Sequence, residues 1–143
     1  MIITQLSVFL ENKPGRLFDV TDALAESGID ISALSLSETA EYGVLRLILS
    51  NPEKAKQIIS DLGVVVKTTK TLAVAIDDIP GGMANFLKIF NDNGLDVRYM
   101  YACVGRVSGK ALMVVKLSDT EKGEAILKEK GLDNLKPTDI YRI

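Results

Sequence analysis

The sequence predicts an α+β fold made of two similar units, and two observations carry that expectation. The stretch Glu11-Asn12-Lys13-Pro14-Gly15-Arg16 has a second version, Asp77-Asp78-Ile79-Pro80-Gly81-Gly82. Each follows a run of alternating apolar residues, the mark of a strand, and precedes an apolar pattern of helical period. The same offset relates Leu6 to Leu72, Val8 to Val74, Gly28 to Gly94, Asp30 to Asp96 and Gly43 to Gly109. These matches mark both ends of the same predicted helix, so the chain is read as an internal duplication.

In the first half, Leu6, Val8 and Leu10 give a strand one apolar face. Pro14 suits the first turn of a helix, where its missing N–H costs nothing. Leu17, Val20, Thr21 and Leu24 carry that helix, and Gly28 stops it. A second strand is expected from Ile29 to Leu36, a polar turn from Glu38 to Tyr42, and a third strand from Gly43 through Leu49. Pro52 opens a helix with Ala55, Ile58, Ile59 and Leu62 on its apolar face. Gly63 ends it, and Val64-Val65-Val66 makes a fourth strand. Strand, helix, strand, strand, helix, strand is the split βαβ, ferredoxin-like order.

The second half repeats the order. Leu72, Val74 and Ile76 form the strand, and Met83, Phe86, Leu87 and Phe90 the helix. A strand follows from Tyr99 to Val104, then a turn from Gly105 to Gly109 and a strand from Ala111 to Leu117. Asp119 and Thr120 cap a helix through Lys130, with Gly131 as its stop. Lys136 to Ile143 is expected to be a short strand. The boundary is placed between domains 1–69 and 70–143. The join at Lys67–Thr71 holds no Gly, Pro or Ser run, which predicts a fixed contact between the domains.

Composition narrows the function. The formal net charge of −2 gives no footprint for nucleic acid, and no run approaches the length of a membrane span. The start, Met1-Ile2-Ile3-Thr4-Gln5, has no secretion signal, so a cytoplasmic location is expected. There is no histidine and one cysteine, Cys103, which removes the commonest general base, the typical zinc ligand sets and any intrachain disulfide. Neither a metal nor a cofactor is expected, and no catalytic residue is assigned. Cys103 is expected to pack on a strand.

A strand running straight into a helix aims the helix's free N–H groups and its positive dipole end above the strand, where carboxylates and phosphates bind. Gly15, Gly81 and Gly82 leave backbone uncovered for close approach. Asn12, Lys13 and Arg16 suit a carboxylate at the first turn. Asp77 and Asp78 suit an ammonium group at the second. The alternative for both turns is plain helix-start chemistry, and for Asp30 and Asp96 the start of a strand.

A strand, then Glu-Asn-Lys-Pro-Gly-Arg-Leu, an amphipathic helix and Gly-Ile-Asp-Ile resembles an ACT domain, a small amino-acid-sensing module. The second half resembles a diverged copy, with Asp78 in place of Asn12. The resemblance implies two βαββαβ domains packed side by side, each an antiparallel sheet with its helices on one face. It implies pairing through the second strands into an eight-stranded sheet, with a free amino acid in the seam. The residues it places there are Leu10, Asn12, Lys13, Pro14, Gly15, Arg16 and Asp30, with Asp78, Ile79, Pro80, Gly81, Gly82 and Asp96. Backbone N–H groups near Pro14-Gly15 or Pro80-Gly81 would hold the α-carboxylate and Asp78 or Asp96 the α-ammonium. Ser35, Ser37, Tyr99, Met100 and Tyr101, on the second strands, would line the side-chain pocket or simply pack in the sheet.

The expected function is therefore a non-catalytic amino-acid sensor, partnered by a small amino acid and assembled as a homodimer. One alternative is a regulatory subunit of a biosynthetic enzyme, resembling the small subunit of acetolactate synthase. Acylphosphatase-like catalysis by Arg16 and Asn12 is disfavoured because the arginine lies beyond the Pro-Gly turn. RNA binding on a sheet is disfavoured because Tyr99 and Tyr101 are the only paired aromatics and the charge is wrong.

Overall fold

The computed structural model describes residues 1–39 and 41–141. It divides into two compact units, one of Thr4–Thr69 with Tyr141, the other of Met1–Ile3 with Lys70–Ile140.

The first unit is built from β1 (Ile2–Glu11, from Thr4 onward), α1 (Arg16–Glu26), β2 (Ile31–Glu38), β3 (Tyr42–Leu49), α2 (Pro52–Asp61) and the start of β4 (Val65–Asp77). Its strand order is β2-β3-β1-β4. β1 and β3 pair antiparallel with Leu6 opposite Leu47, Val8 opposite Leu45 and Leu10 opposite Gly43. β2 lies on the far side of β3, with Leu36 opposite Leu45 and Glu38 opposite Gly43. Residues of alternate position share a face of a strand. Leu6, Val8 and Leu10 therefore stand beside Leu45, Leu47 and Leu49, and Val20 and Leu24 of α1 with Ala55 and Ile59 of α2 close over them. Burying side chains of this size stabilises by about 1.5–3 kcal/mol each, which is what holds both helices to one face.

Local chemistry sets the helix ends. Asn51 Oδ1 accepts from the Lys54 N–H at 3.2 Å, with Pro52 as first helical residue. After α1 the Gly28 N–H donates to the Ala25 carbonyl and the Ile29 N–H to the Leu24 carbonyl, a left-handed C-terminal cap.

The second unit repeats this with the rest of β4, α3 (Gly82–Asp92), β5 (Val97–Val107), β6 (Lys110–Leu117), α4 (Thr120–Glu129) and α5 (Pro137–Ile140). β6 pairs antiparallel with both β4 and β5. Leu72, Val74 and Ile76 pack with Phe86, Phe90, Val115, Leu117 and Leu127, and the rings of Phe86 and Phe90 meet edge to face. Asp119 caps α4, accepting from the Lys122 N–H at 3.0 Å. No helix among the described residues is long and apolar enough to cross a membrane.

Three sequence expectations change. The strands expected near Val64–Val66 and Leu72–Ile76 are one continuous 13-residue strand, β4, because nothing between them breaks the ladder. The turn expected over Gly105–Gly109 contracts to Ser108-Gly109, and β5 runs on to Val107 past a bulge between Ala102 and Arg106. The last expected strand is instead α5 over Pro137–Ile140, with Arg142 and Ile143 outside the described residues. Asp139 accepts from the Lys136 N–H at 2.7 Å and donates its own N–H to the Lys136 carbonyl, which closes a turn where a strand would extend. Beside β4 the outer place is taken by the chain's first residues, the Ala73 N–H donating to the Met1 carbonyl at 2.9 Å. The Met1 ammonium pairs with Asp133, and the Ile2 N–H donates to Glu124 at 2.9 Å.

Glu124 gives this attachment a pH dependence. Burial raises its pKa, but the Ile2 N–H, Lys128 and the N-terminal ammonium outweigh that and leave it below the ordinary 4.5. A carboxyl with a lowered folded pKa contributes stability that is present above its unfolded pKa and is lost as pH falls through the folded value. Acid unfolding followed by circular dichroism should therefore show stability falling below about pH 4.5. Glu124→Gln should lower the neutral-pH melting temperature and flatten that acid slope.

Candidate functional site

The Pro-Gly turns are the same backbone device in both units. Gly15 and Gly81 adopt φ 85° and 84°, in the left-handed region, and each is the N-cap residue of its helix without a side-chain cap bond. A residue with a Cβ would be strained there by about 1–2 kcal/mol. The first main-chain bonds of the helices also correspond, Asp19 N–H to the Gly15 carbonyl at 2.9 Å and Asn85 N–H to the Gly81 carbonyl at 3.0 Å.

What surrounds the two turns differs. At the first lies an open cavity of about 420 Å³, lined by residues 10–14, Arg16 and Leu17, by Leu36, Ser37 and Glu38 at the end of β2, and by Gly43. Antiparallel pairing brings these together: the end of β1, the end of β2 and the start of β3 meet at one edge of the sheet. At the second turn a cavity of about 130 Å³ takes in Asp77, Gly82, Asn85, Lys110 and Leu132. It includes no residue of β5, and by position it matches a cavity of about 140 Å³ in the first unit lined by Phe9, Glu11, Arg16 and Val64.

The residue after the left-handed glycine differs between the turns. Gly82 is buried, and a Cβ added to it would collide with the Asp77 carbonyl oxygen. The second helix thus starts hard against the end of its strand. In the first unit that position is Arg16, and the Glu11 carbonyl is occupied by the Lys13 N–H at 2.8 Å.

Charges diverge in the same way. Asp78 is paired with Arg106 at 2.8 Å and Asp77 with Lys110 at 3.3 Å, so the acidic second turn has its cations already. In the first turn Lys13 is bound to Glu11 at 2.8 Å, and through that hydrogen bond and its charge holds the Glu11 carboxyl below the ordinary value. Arg16 and Glu38 also line the cavity, and neither has an ion-pair partner among the described residues.

Of the residues expected at a site, Leu10, Asn12, Lys13, Pro14 and Arg16 line the larger cavity, and Gly15 shapes the turn between them. Gly82 borders the smaller one, whereas Asp78, Ile79, Pro80 and Gly81 do not. Asp30 lies at the opposite end of β2, about 26 Å along the strand from Glu38. Its backbone is clamped to Ser50, the Asp30 N–H donating to Ser50 Oγ at 3.1 Å and the Ser50 N–H to the Asp30 carbonyl at 3.0 Å. Asp96 makes the same pair of bonds with Ser118, at 3.1 and 2.9 Å. Both aspartates therefore start strands in equivalent fashion. Tyr99, Met100 and Tyr101 lie along β5 away from the second turn of their own unit, which Arg106 reaches instead. Ser37 borders the larger cavity and accepts from Arg46 Nη1 at 3.2 Å, whereas Ser35 does not border it.

Sequence reasoning missed Glu11, Leu17, Leu36, Glu38 and Gly43. The stretch from Glu38 looked like a polar turn, and only the β2–β3 register shows that Glu38 ends a strand opposite Gly43. Cys103 is not part of either cavity, and burial pushes its thiol up to about 11, so it stays protonated near neutral pH.

A family model described as the ACT domain pair matches residues 1–143. A search of curated protein sequences gives no match. Among solved structures, protein BT0572 from Bacteroides thetaiotaomicron is similar at 37% identity and a TM-score of 0.90, over 100% of this chain and 98% of that one. The ligand-free regulatory subunit of aspartate kinase from Thermus thermophilus is similar in fold, at 15% identity and a TM-score of 0.64, over 92% of this chain and 95% of that one. The regulatory subunit from Thermus flavus gives 14% identity and a TM-score of 0.62, over 90% of this chain and 92% of that one.

The contact at Gly82 makes the two turns unequal to substitution. Gly82→Ala should cost about 1–3 kcal/mol, as overpacking against a fixed carbonyl does. Arg16→Ala, at the matching place, should stay within about 0.5 kcal/mol of the parent. Urea unfolding midpoints compare the two.

Proposed function

We propose, starting from the fact that this chain belongs to the ACT domain-pair family, that it is a non-catalytic sensor which reversibly binds a free amino acid at the turn after β1. The observation that carries this reading is the open cavity of about 420 Å³ at Pro14-Gly15, with Arg16 and Glu38, charges of both signs outside any close ion pair among the described residues, on its wall. Its size is within the range of small-molecule sites. The Arg16 guanidinium and the uncapped start of α1 supply positive potential for an α-carboxylate. Glu38 supplies the anion for an α-ammonium, in the role that the sequence alone suggested for Asp78 or Asp96. Asn12 offers an amide that can donate to the carboxylate or accept from the ammonium.

In this reading one ligand binds per chain. At the second turn Arg16 is replaced by Gly82, which lies against the Asp77 carbonyl, and the acidic side chains are held by Arg106 and Lys110. No covalent step is required, and the residues around the cavity include no histidine or cysteine to perform one. A regulatory role fits a protein whose site binds without reacting.

Thermal melting in the presence of each of the twenty amino acids tests this. A ligand that binds only the folded chain stabilises it by about 2.7 kcal/mol at one hundred times its Kd. That corresponds to a rise on the order of 10 °C for a chain of this size. Titration calorimetry should give one site per chain, and Arg16→Ala and Glu38→Gln should each weaken binding by about 10-fold, the loss of one charged contact. If no amino acid raises the melting temperature at millimolar concentration, the proposal fails.

A further inference from the structure

We infer that the amino acid bound at the first turn carries an apolar side chain, of the size of leucine or phenylalanine; this rests on the function proposed above and specifies its ligand. Of the four charges lining the cavity, Arg16 and Glu38 meet the two ends of a zwitterion, and Glu11 and Lys13 pair with each other. What remains is the wall formed by Leu10, Leu17 and Leu36. Leu10 is 4% exposed and belongs to the core, so the cavity's floor is the edge of that core. Leu17 is half-buried and packs on the same cluster.

Leu36 is the informative residue. It is 50% exposed, and it lies at the end of β2 with its side chain against the cavity. Gly43 on the neighbouring strand also borders the cavity, and a Cβ there would make an ordinary contact with Leu36 Cδ1 at 3.4 Å, so the Leu36 side chain lies directly beside that strand. A half-exposed leucine facing two others across a groove leaves apolar surface in water, and covering it with an apolar ligand side chain is favourable.

The same wall rejects the alternatives. A lysine or aspartate side chain lying against three leucines would lose hydration without gaining a partner. The remaining charges on the cavity, Glu11 and Lys13, already satisfy one another. Serine or glycine would use the charged rim but leave the leucines uncovered, and so would bind more weakly than leucine by the value of that burial.

Titration calorimetry on the full chain with L-leucine, L-phenylalanine, L-serine, L-aspartate and L-lysine decides the matter. The expected result is binding of leucine or phenylalanine at least 10-fold tighter than of the other three. Leu36→Ser should weaken that binding about 10-fold while leaving serine binding and the ligand-free melting temperature unchanged, since Leu36 lies outside the core cluster. Tighter binding of serine, aspartate or lysine overturns this inference alone and leaves the sensor reading intact. Binding of none of the twenty amino acids overturns both. Equal weakening of leucine and serine by Leu36→Ser, or a fall in the ligand-free melting temperature, removes Leu36 as a selectivity residue and the inference with it.

Discussion

Each unit depends on one backbone constraint, the left-handed glycine that turns a strand into a helix lying over the same face of the sheet. The strand's core face ends at Leu10, and the helix must bring Val20 and Leu24 back over Leu6 and Val8. The reversal is completed within residues 12–15, with Pro14 fixing one φ and Gly15 taking the positive one. The cost is that no side chain is available at the N-cap position to bond the first N–H groups of α1. A helix start that is normally satisfied from within is left facing outward, at the edge where β1, β2 and β3 end together.

Duplication kept that constraint and relaxed what lies next to it. Gly81 repeats the φ of Gly15 to within a degree, so the turn itself is unchanged. One position later, Gly82 lets α3 close against the Asp77 carbonyl, whereas Arg16 holds a long cationic side chain at the rim of an open groove. The acidic residues Asp77 and Asp78 then find partners in Arg106 and Lys110 on β5 and β6. Such exposed pairs contribute only about 0–1 kcal/mol each to stability. Their larger effect here is to occupy charges that a ligand would otherwise meet.

The fold was legible because its signals are local. Helix faces follow from spacing, as Ala55 and Ile59 show, and helix ends from Gly28, Gly94, Asn51 and Asp119 acting within a few residues. What failed was the segment whose fate is set by distant groups. Lys136–Ile140 has a plausible strand pattern, but the place beside β4 is filled by Met1–Ile3, far away in sequence. The candidate site divides along the same line. Its β1 side was readable from the Pro-Gly motif, while Leu36, Glu38 and Gly43 join it only through strand register. The strand-start role of Asp30 and Asp96 was open in the sequence for the same reason, since their Ser50 and Ser118 partners are about twenty residues away and invisible to local spacing.

Around the first turn, charge and apolar surface have separate tasks. Glu11 pairs with Lys13 and also feels the Arg16 charge, while Arg16 and Glu38, of opposite sign, form no close ion pair among the described residues. An anion would satisfy one and a cation the other, but only a zwitterion satisfies both without changing the charge at the rim. Glu38 is exposed and Arg16 half-buried, and contacts of that kind contribute modestly in water. In the proposed site, orientation and class would come from the charges. Discrimination within the class would come from Leu10, Leu17 and Leu36, where covering one leucine-sized side chain contributes about 1.5–3 kcal/mol. After the entropy lost on association, contributions of this size leave a modest affinity. Modest affinity means rapid exchange, and rapid exchange is what lets a binding protein follow the concentration of a metabolite rather than sequester it.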